Sequence, residues 1–250
     1  MRKQNQKTRF AGAASFVVAA VFALTLISWP LTEETTPPDS VAHPNADAAH
    51  SSANPDAADL TAAAALAKLP VKGRAPKDGY ARTEFGPRWA DVDRNGCDTR
   101  NDILRRDMHG TTVDPRNNCT VLAGTLDEPY GGVPIVAENR RTISNQIQID
   151  HVVALADAWQ KGAQELTAKQ RIEFANDPMN LLAVEAKWNS QKGAGDAATW
   201  LPKNKAFRCK YVALQVGVKY KYQLWVTAAE KTAIQQVLAK CPDQRLPTSH

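Results

Sequence analysis

Between Thr32 and Asp59 the chain reads TEETTPPDSVAHPNADAAHSSANPDAAD, and Val41 is its only large aliphatic residue. A segment so poor in apolar side chains cannot bury enough surface to offset the entropy of ordering it, so residues 32–59 are predicted to be a disordered spacer. His43 and His50 fall there and read as solvated residues. Any hydrophobic core is thereby confined to residues 60–250, a length suited to one well-packed domain.

The segment before the spacer points to export. MRKQNQKTR carries four bases and no acid, and the uncharged run from Phe10 to Leu31 follows it for 22 residues. A basic flank before an apolar run is the layout of a secretory signal, and this run is also long enough to span a bilayer. No small-x-small cleavage site closes it, since Trp29-Pro30-Leu31 stands there. Residues 1–31 therefore read as a cleaved signal peptide or a retained anchor. The expected location is secreted or held at the outer face of the cytoplasmic membrane, with membrane contact only through this segment.

Cys97, Cys119, Cys209 and Cys241 all lie beyond residue 60. An even count in an exported domain favours disulfides, and sequence order suggests Cys97–Cys119 and Cys209–Cys241. Each closure is worth about 3 kcal/mol in the chain-entropy account. A four-cysteine zinc site is the competing arrangement, but no C-x-x-C pair is present. Residues 60–250 hold 27 bases against 20 acids, a net charge of +7. That balance suits a polyanionic substrate without singling one out.

Periodicity and punctuation predict the elements. LTAAAALAKLPVKG opens with a short helix ending before Pro70, and a second helix starts near Thr99 with Ile103 and Leu104 inward. CTVLAGTLDEPYGGVPIVA reads as short strands and a hairpin. TISNQIQID reads as a strand ending at Asp150, with Ile143, Ile147 and Ile149 alternating. VVALADAWQKGA is helical, with Gly162 near its end. TAKQRIEFAND is a helix capped by Thr167, NLLAV a buried strand, and EAKWNSQKG a helical turn stopped by Gly193. The tail predicts a long helix containing Tyr220, Tyr222 and Trp225, a break near Thr227, and a last helix running to Cys241.

An apolar strand ending in Asp150-His151, a strand opened by Asn180 and a helix carrying Asn189 form a set with chemical meaning. Phosphodiester hydrolysis needs a base for the attacking water, and a neutral imidazole serves near pH 7. It also needs a cation on the developing charge, and a hard divalent ion takes few protein oxygens plus water. The Asp150 carboxylate and the Asn189 amide oxygen would suffice, with Asn180 holding the imidazole or tying the loop beside it.

IQIDHVVALADAW…FANDPMNLLAVEAKWNSQKGAGDAATWLP resembles the HNH, or ββα-metal, endonuclease superfamily. More narrowly it resembles exported actinobacterial proteins with a domain of unknown function related to the restriction enzyme GmrSD, over roughly residues 60–245. The resemblance implies an α+β fold with a ββα-metal core inside a mainly helical, disulfide-stapled nuclease domain spanning 60–250. It assigns Asp150 and Asn189 as metal ligands, His151 as general base, Asn180 as the middle asparagine and Lys192 as a basic residue near the scissile phosphate. The hard oxygen of the Asn189 amide suits Mg²⁺ or Mn²⁺ as cofactor better than zinc, and nucleic acid, DNA before RNA, is the expected substrate of a monomer. The spacing of 29 positions between His151 and Asn180 is a departure from classical HNH enzymes, where it is shorter. Two rivals stand beside this reading: a catalytically silent nucleic-acid-binding module at the cell surface, and a secreted antibacterial nuclease effector.

Each feature also has a plainer reading. His151 can be a strand-end histidine without chemistry, and His109 an exposed loop residue. Arg100, Arg105 and Arg106 can line a phosphate track or pair with Asp98, Asp102 and Asp107. Trp159, Trp188 and Trp200 suit the core better than base stacking. Lys219 and Lys221, interleaved with Tyr220, Tyr222 and Trp225, are candidates for nucleic-acid contact or snorkelling lysines of an amphipathic helix.

Overall fold

A computed structural model describes residues 60–247. The signal or anchor expected at 1–31 and the spacer expected at 32–59 lie outside the described residues. Among the described residues no helix is long and apolar enough to cross a membrane.

The elements run α1 (Ala62–Lys68), α2 (Thr99–Asp107), β1 (Met108–Val113), β2 (Val121–Leu126), β3 (Ile135–Ala137), α3 (Arg140–Gln146), β4 (Ile147–His151), α4 (Leu155–Trp159), α5 (Ala168–Asn176), β5 (Leu181–Glu185), α6 (Ala186–Lys192), α7 (Arg208–Lys221) and α8 (Ala228–Leu238). The fold is α+β. Strands β1, β2 and β3 form one antiparallel sheet, and β4 pairs antiparallel with β5 in a second.

Local chemistry accounts for most boundaries. Asp98 caps α2 by accepting from the Asn101 amide, and Thr167 with Gln170 forms a reciprocal capping box on α5. Thr227 caps α8, which accounts for the break read there. Three expectations are corrected. His109 lies exposed on β1, 3.6 Å from Asp127, and not in a loop. Ile143 belongs to α3, a helix begun by the side chain of Asn139, and not to the strand. Helix α7 stops at Lys221, so Tyr222 and Trp225 follow it; their polar atoms bond to Asp177 and to the Gly73 carbonyl.

The β4–β5 pair divides the packing. Register sets Asp150 opposite Leu182 and His151 opposite Leu181. Because successive side chains leave a strand on opposite faces, Ile147, Ile149, Leu181 and Ala183 point one way, into a cluster with Ile103, Leu104 and Leu126. Leu182 and Val184 point the other way, toward Tyr130, Tyr211 and the α1–α7–α8 cluster. A third cluster joins Phe85, Val153, Trp159 and Phe174.

Both disulfides form as expected, Cys97–Cys119 and Cys209–Cys241, and no free cysteine is present among the described residues. The second ties the start of α7 to the chain just past α8. The same helices share buried charge. The Lys161 ammonium lies 2.7 Å from carboxylate oxygens of Asp157, Asp196 and Glu230. Lys219 lies 2.5 Å from Glu230 and 3.5 Å from Asp157, and Arg74 reaches Asp157 and Asp196. Lys219 is wholly buried. Its expected contact with nucleic acid is corrected, because α7 is enclosed nearly all round and this lysine faces α8 instead of solvent.

Candidate functional site

The strand–strand–helix unit β4–β5–α6 places the sequence-predicted residues. On the face shared with Leu182, Gln148 and Asp150 meet α6. The Asn189 amide donates to Gln148 Oε1 at 2.7 Å. One turn later, Lys192 Nζ donates to Asp150 Oδ1 at 3.0 Å and to the His151 carbonyl at 2.8 Å. The other carboxylate oxygen accepts from the Tyr130 hydroxyl at 2.6 Å. Asp150, Lys192 and Tyr130 are all buried. Burial pushes the Asp150 carboxyl up, against the lowering pull of Lys192 and Tyr130, and burial likewise holds the Tyr130 hydroxyl protonated as a donor.

Sequence reasoning missed Tyr130 and its support. The buried Glu128 carboxylate accepts from the backbone amides of Tyr130 and Gly131, which fixes the turn that delivers the hydroxyl. A Cβ on Gly131 would sit 2.2 Å from Trp188 Nε1, so only glycine lets this turn lie against α6. The signal was DEPYGG, a tyrosine held between turn formers; its target twenty positions away was not readable.

Lys192 is corrected from the phosphate-facing residue the resemblance implied. Its side chain is fully enclosed and serves as the counter-charge of Asp150.

On the opposite face, the His151 ring approaches the Ala175 carbonyl through Nε2 at 2.9 Å. A carbonyl only accepts, so Nε2 carries the proton and Nδ1 is the acceptor nitrogen. Burial drives the imidazole pKa down from its usual 6.5 to about 3, with Arg82 and Lys192 adding to the fall, so the ring is neutral. The indole of Trp89 stacks over it, centroids 6.2 Å apart and planes 14° from parallel. Trp89 has φ of 56°, in the left-handed region, which for a bulky residue costs about 1–3 kcal/mol and is held only by its surroundings.

Asn180 resolves the choice left open for it. Its Oδ1 accepts from the Val153 amide and its carbonyl from the Val152 amide, both at 2.8 Å, so it ties the chain just after β4 and does not touch the imidazole. Arg100 donates to the Ile147 carbonyl at 3.1 Å from the first turn of α2. Arg105 is exposed and bonds to the Asn118 carbonyl. Lys221 is half-exposed but paired with Asp177 at 2.7 Å, and Arg106 pairs with Asp107 as the plainer reading had it.

The residues therefore form two groups. Asp150, Lys192, Asn189 and Gln148 gather between β4 and α6, while His151 lies across the strand with Trp89 and Ala175. A divalent ion does not fit at Asp150 in this arrangement, because both carboxylate oxygens are engaged and an ammonium already stands against one of them. Gln148 and Asn189 are half-exposed, and the Asn189 side-chain oxygen Oδ1 accepts no hydrogen bond among the described residues.

The family described as GmrSD restriction endonucleases, C-terminal domain, matches residues 98–237. A protein of Arthroderma benhamiae described as an uncharacterized secreted protein is 38% identical over 183 residues, covering 72% of this chain and 85% of that protein. No solved structure matches.

Proposed function

Because the chain belongs to the GmrSD restriction endonuclease C-terminal domain family, we propose that it is an exported endonuclease of HNH type that hydrolyses phosphodiester bonds of nucleic acid, with DNA as the preferred substrate. The observation that carries the reading is His151: a neutral imidazole, its tautomer set by the Ala175 carbonyl, at the end of the first strand of a strand–strand–helix unit. Nδ1 is the atom that would take the proton of the attacking water. Burial is the largest cause of its weak basicity, so an imidazole face opened to water returns toward the ordinary range where proton abstraction is efficient. Asn180 supports this role by fixing the two residues after His151.

Dependence on Mg²⁺ or Mn²⁺ belongs to the proposal through the family resemblance and the half-exposed amides of Gln148 and Asn189. Hard oxygens of this kind suit such ions. No step is drawn through an ion, since Asp150 is closed by Lys192 and Tyr130. Export is supported by the basic-then-apolar start of the chain, by two disulfides, and by the description of the relative as secreted.

One observation favours a second reading. A saturated Asp150 and a covered His151 also suit a module that binds nucleic acid without cutting it. The full chain, incubated with plasmid DNA and with RNA over a panel of divalent ions, separates the two. The endonuclease reading expects ion-dependent cleavage that chelator stops and that His151→Ala lowers by about 10²–10⁴-fold, with an unchanged circular dichroism spectrum. Absence of cleavage under every ion, with binding retained, leaves the module.

A further inference from the structure

The surroundings of His151 hold three arginines that the catalytic reading does not use. Arg82 opens the 3-10 turn Arg82–Phe85 and is exposed, close enough to act on the charge of the imidazole. Arg88 is exposed and immediately precedes Trp89. Arg100 is half-buried, and burial lowers its pKa while Asp98 raises it and Arg88 lowers it further; its guanidinium bonds to the Ile147 carbonyl. None of the three has a carboxylate at ion-pair distance among the described residues. Arg74, Arg106, Arg116 and Arg171 all do. Arg88 and Arg100 have one nearby acid, Asp98, which makes no ion pair with either, and a phosphate could answer the charge left over beside Trp89.

Trp89 stands among these arginines. It is only partly buried, its ring lies nearly parallel to the imidazole, and its backbone is held in a conformation a tryptophan rarely adopts. The turn carrying it is pressed against α5: a Cβ on Gly86 would lie 2.4 Å from Ile172 Cγ1. The Trp89 ring also packs against the cluster that holds Ile103 and Ile149, so only its exposed part is open to a ligand. A large flat ring that caps the proposed base, flanked by unpaired arginines, is a platform for a base with its adjoining phosphates.

We infer that Trp89, Arg82, Arg88 and Arg100 form a subsite for single-stranded nucleic acid, the indole stacking on an unpaired base while the arginines hold the flanking phosphates beside His151. The inference rests on the reading that His151 faces substrate, and it adds a strand preference: a base paired in a duplex offers no free face to the indole. Trp89 is here a positioning residue, which aligns the strand and leaves the proton transfer to His151.

The test is fluorescence anisotropy with the full chain in chelator, where cleavage does not interfere, using a short labelled oligodeoxynucleotide as a single strand and as a duplex. The single strand is expected to bind about tenfold more tightly than the duplex. Trp89→Ala weakens the single strand by about tenfold, whereas Trp89→Phe stays within about threefold of the parent. Arg88→Glu, an exposed change that leaves folding intact, weakens binding and flattens its salt dependence by about one phosphate contact. Equal affinity for Trp89→Ala, Arg88→Glu and the parent overturns the subsite, as does a preference for duplex. Cleavage that disappears in His151→Ala while both variants bind normally removes the subsite and keeps the endonuclease. Binding that needs Trp89 and Arg88 in a protein that cuts nothing does the reverse.

Discussion

The two faces of β4 carry adjacent residues and opposite designs. On the α6 face, Asp150 is surrounded by groups that answer its charge: a hydroxyl on one oxygen, an ammonium on the other, and that ammonium shared with a backbone carbonyl. On the other face, His151 has one hydrogen bond and an indole over its ring, and Arg82, Arg88 and Arg100 make no ion pair among the described residues. A saturated buried ion pair holds structure and has little left to offer a ligand. An under-paired basic rim around a single aromatic ring has binding capacity to spare. The contrast assigns stability to the Asp150 side and recognition to the His151 side.

The largest effect should come from Lys192. Lys192→Met leaves a buried carboxylate without counter-charge and should cost about 3–5 kcal/mol in denaturant unfolding. Adding Asp150→Asn should recover most of that loss, since two neutral groups no longer need each other. A Lys192→Met protein of parental stability would break the comparison at its stable end.

An effect of similar total size, spread over several pH units, is read by pH. In the unfolded chain His151 takes up a proton near 6.5, while in the folded chain it resists until about 3. Between those values the unfolded state binds more protons, so stability falls as pH drops, by up to roughly 1.4 kcal/mol per pH unit from this group. His151→Gln keeps a donor for the Ala175 carbonyl and removes the titration. The variant should lose less stability than the parent between pH 6.5 and pH 3 in parallel urea titrations. Matching slopes would mean that the ring is not shielded as described.

The smallest change sharpens the picture on the Asp150 side alone. Tyr130→Phe deletes one hydrogen bond to a charged acceptor and should cost about 1.5–3 kcal/mol, with oligonucleotide affinity unaltered. A loss of affinity there would place substrate on the face assigned to stability.

Much of this was legible in the sequence. The cap Thr167, the break near Thr227, the stop at Gly193 and the β5 and α6 segments follow from local chemistry, and the disulfide pairs from sequence order. What was not legible depended on one strand residue and on long-range partners. The sequence reading ended β4 at Asp150, which left His151 free to turn toward the same side. The chain pairs one residue further, His151 with Leu181, and strand alternation then sends the imidazole to the opposite face. Ile143 shared its apolar spacing with Ile147 and Ile149, so helix α3 was hidden in what looked like one strand. Tyr130 and Glu128 reach Asp150 and the Tyr130–Gly131 turn through tertiary contacts that periodicity does not encode. Lys219 looked like a surface cation because charge pattern alone does not reveal that Glu230 and Asp157 lie above it.

The buried ions around Lys161 have a consequence for how the molecule comes apart. Arg74, Asp157, Lys161, Asp196, Lys219 and Glu230 are drawn from five separate stretches of chain, and their charges cancel only when all six residues are in place. Peeling away any one stretch strands an ion in a medium that cannot solvate it. Partial opening of these helices is therefore penalised more than complete opening, and they should melt in one cooperative step with no half-dismantled species in between.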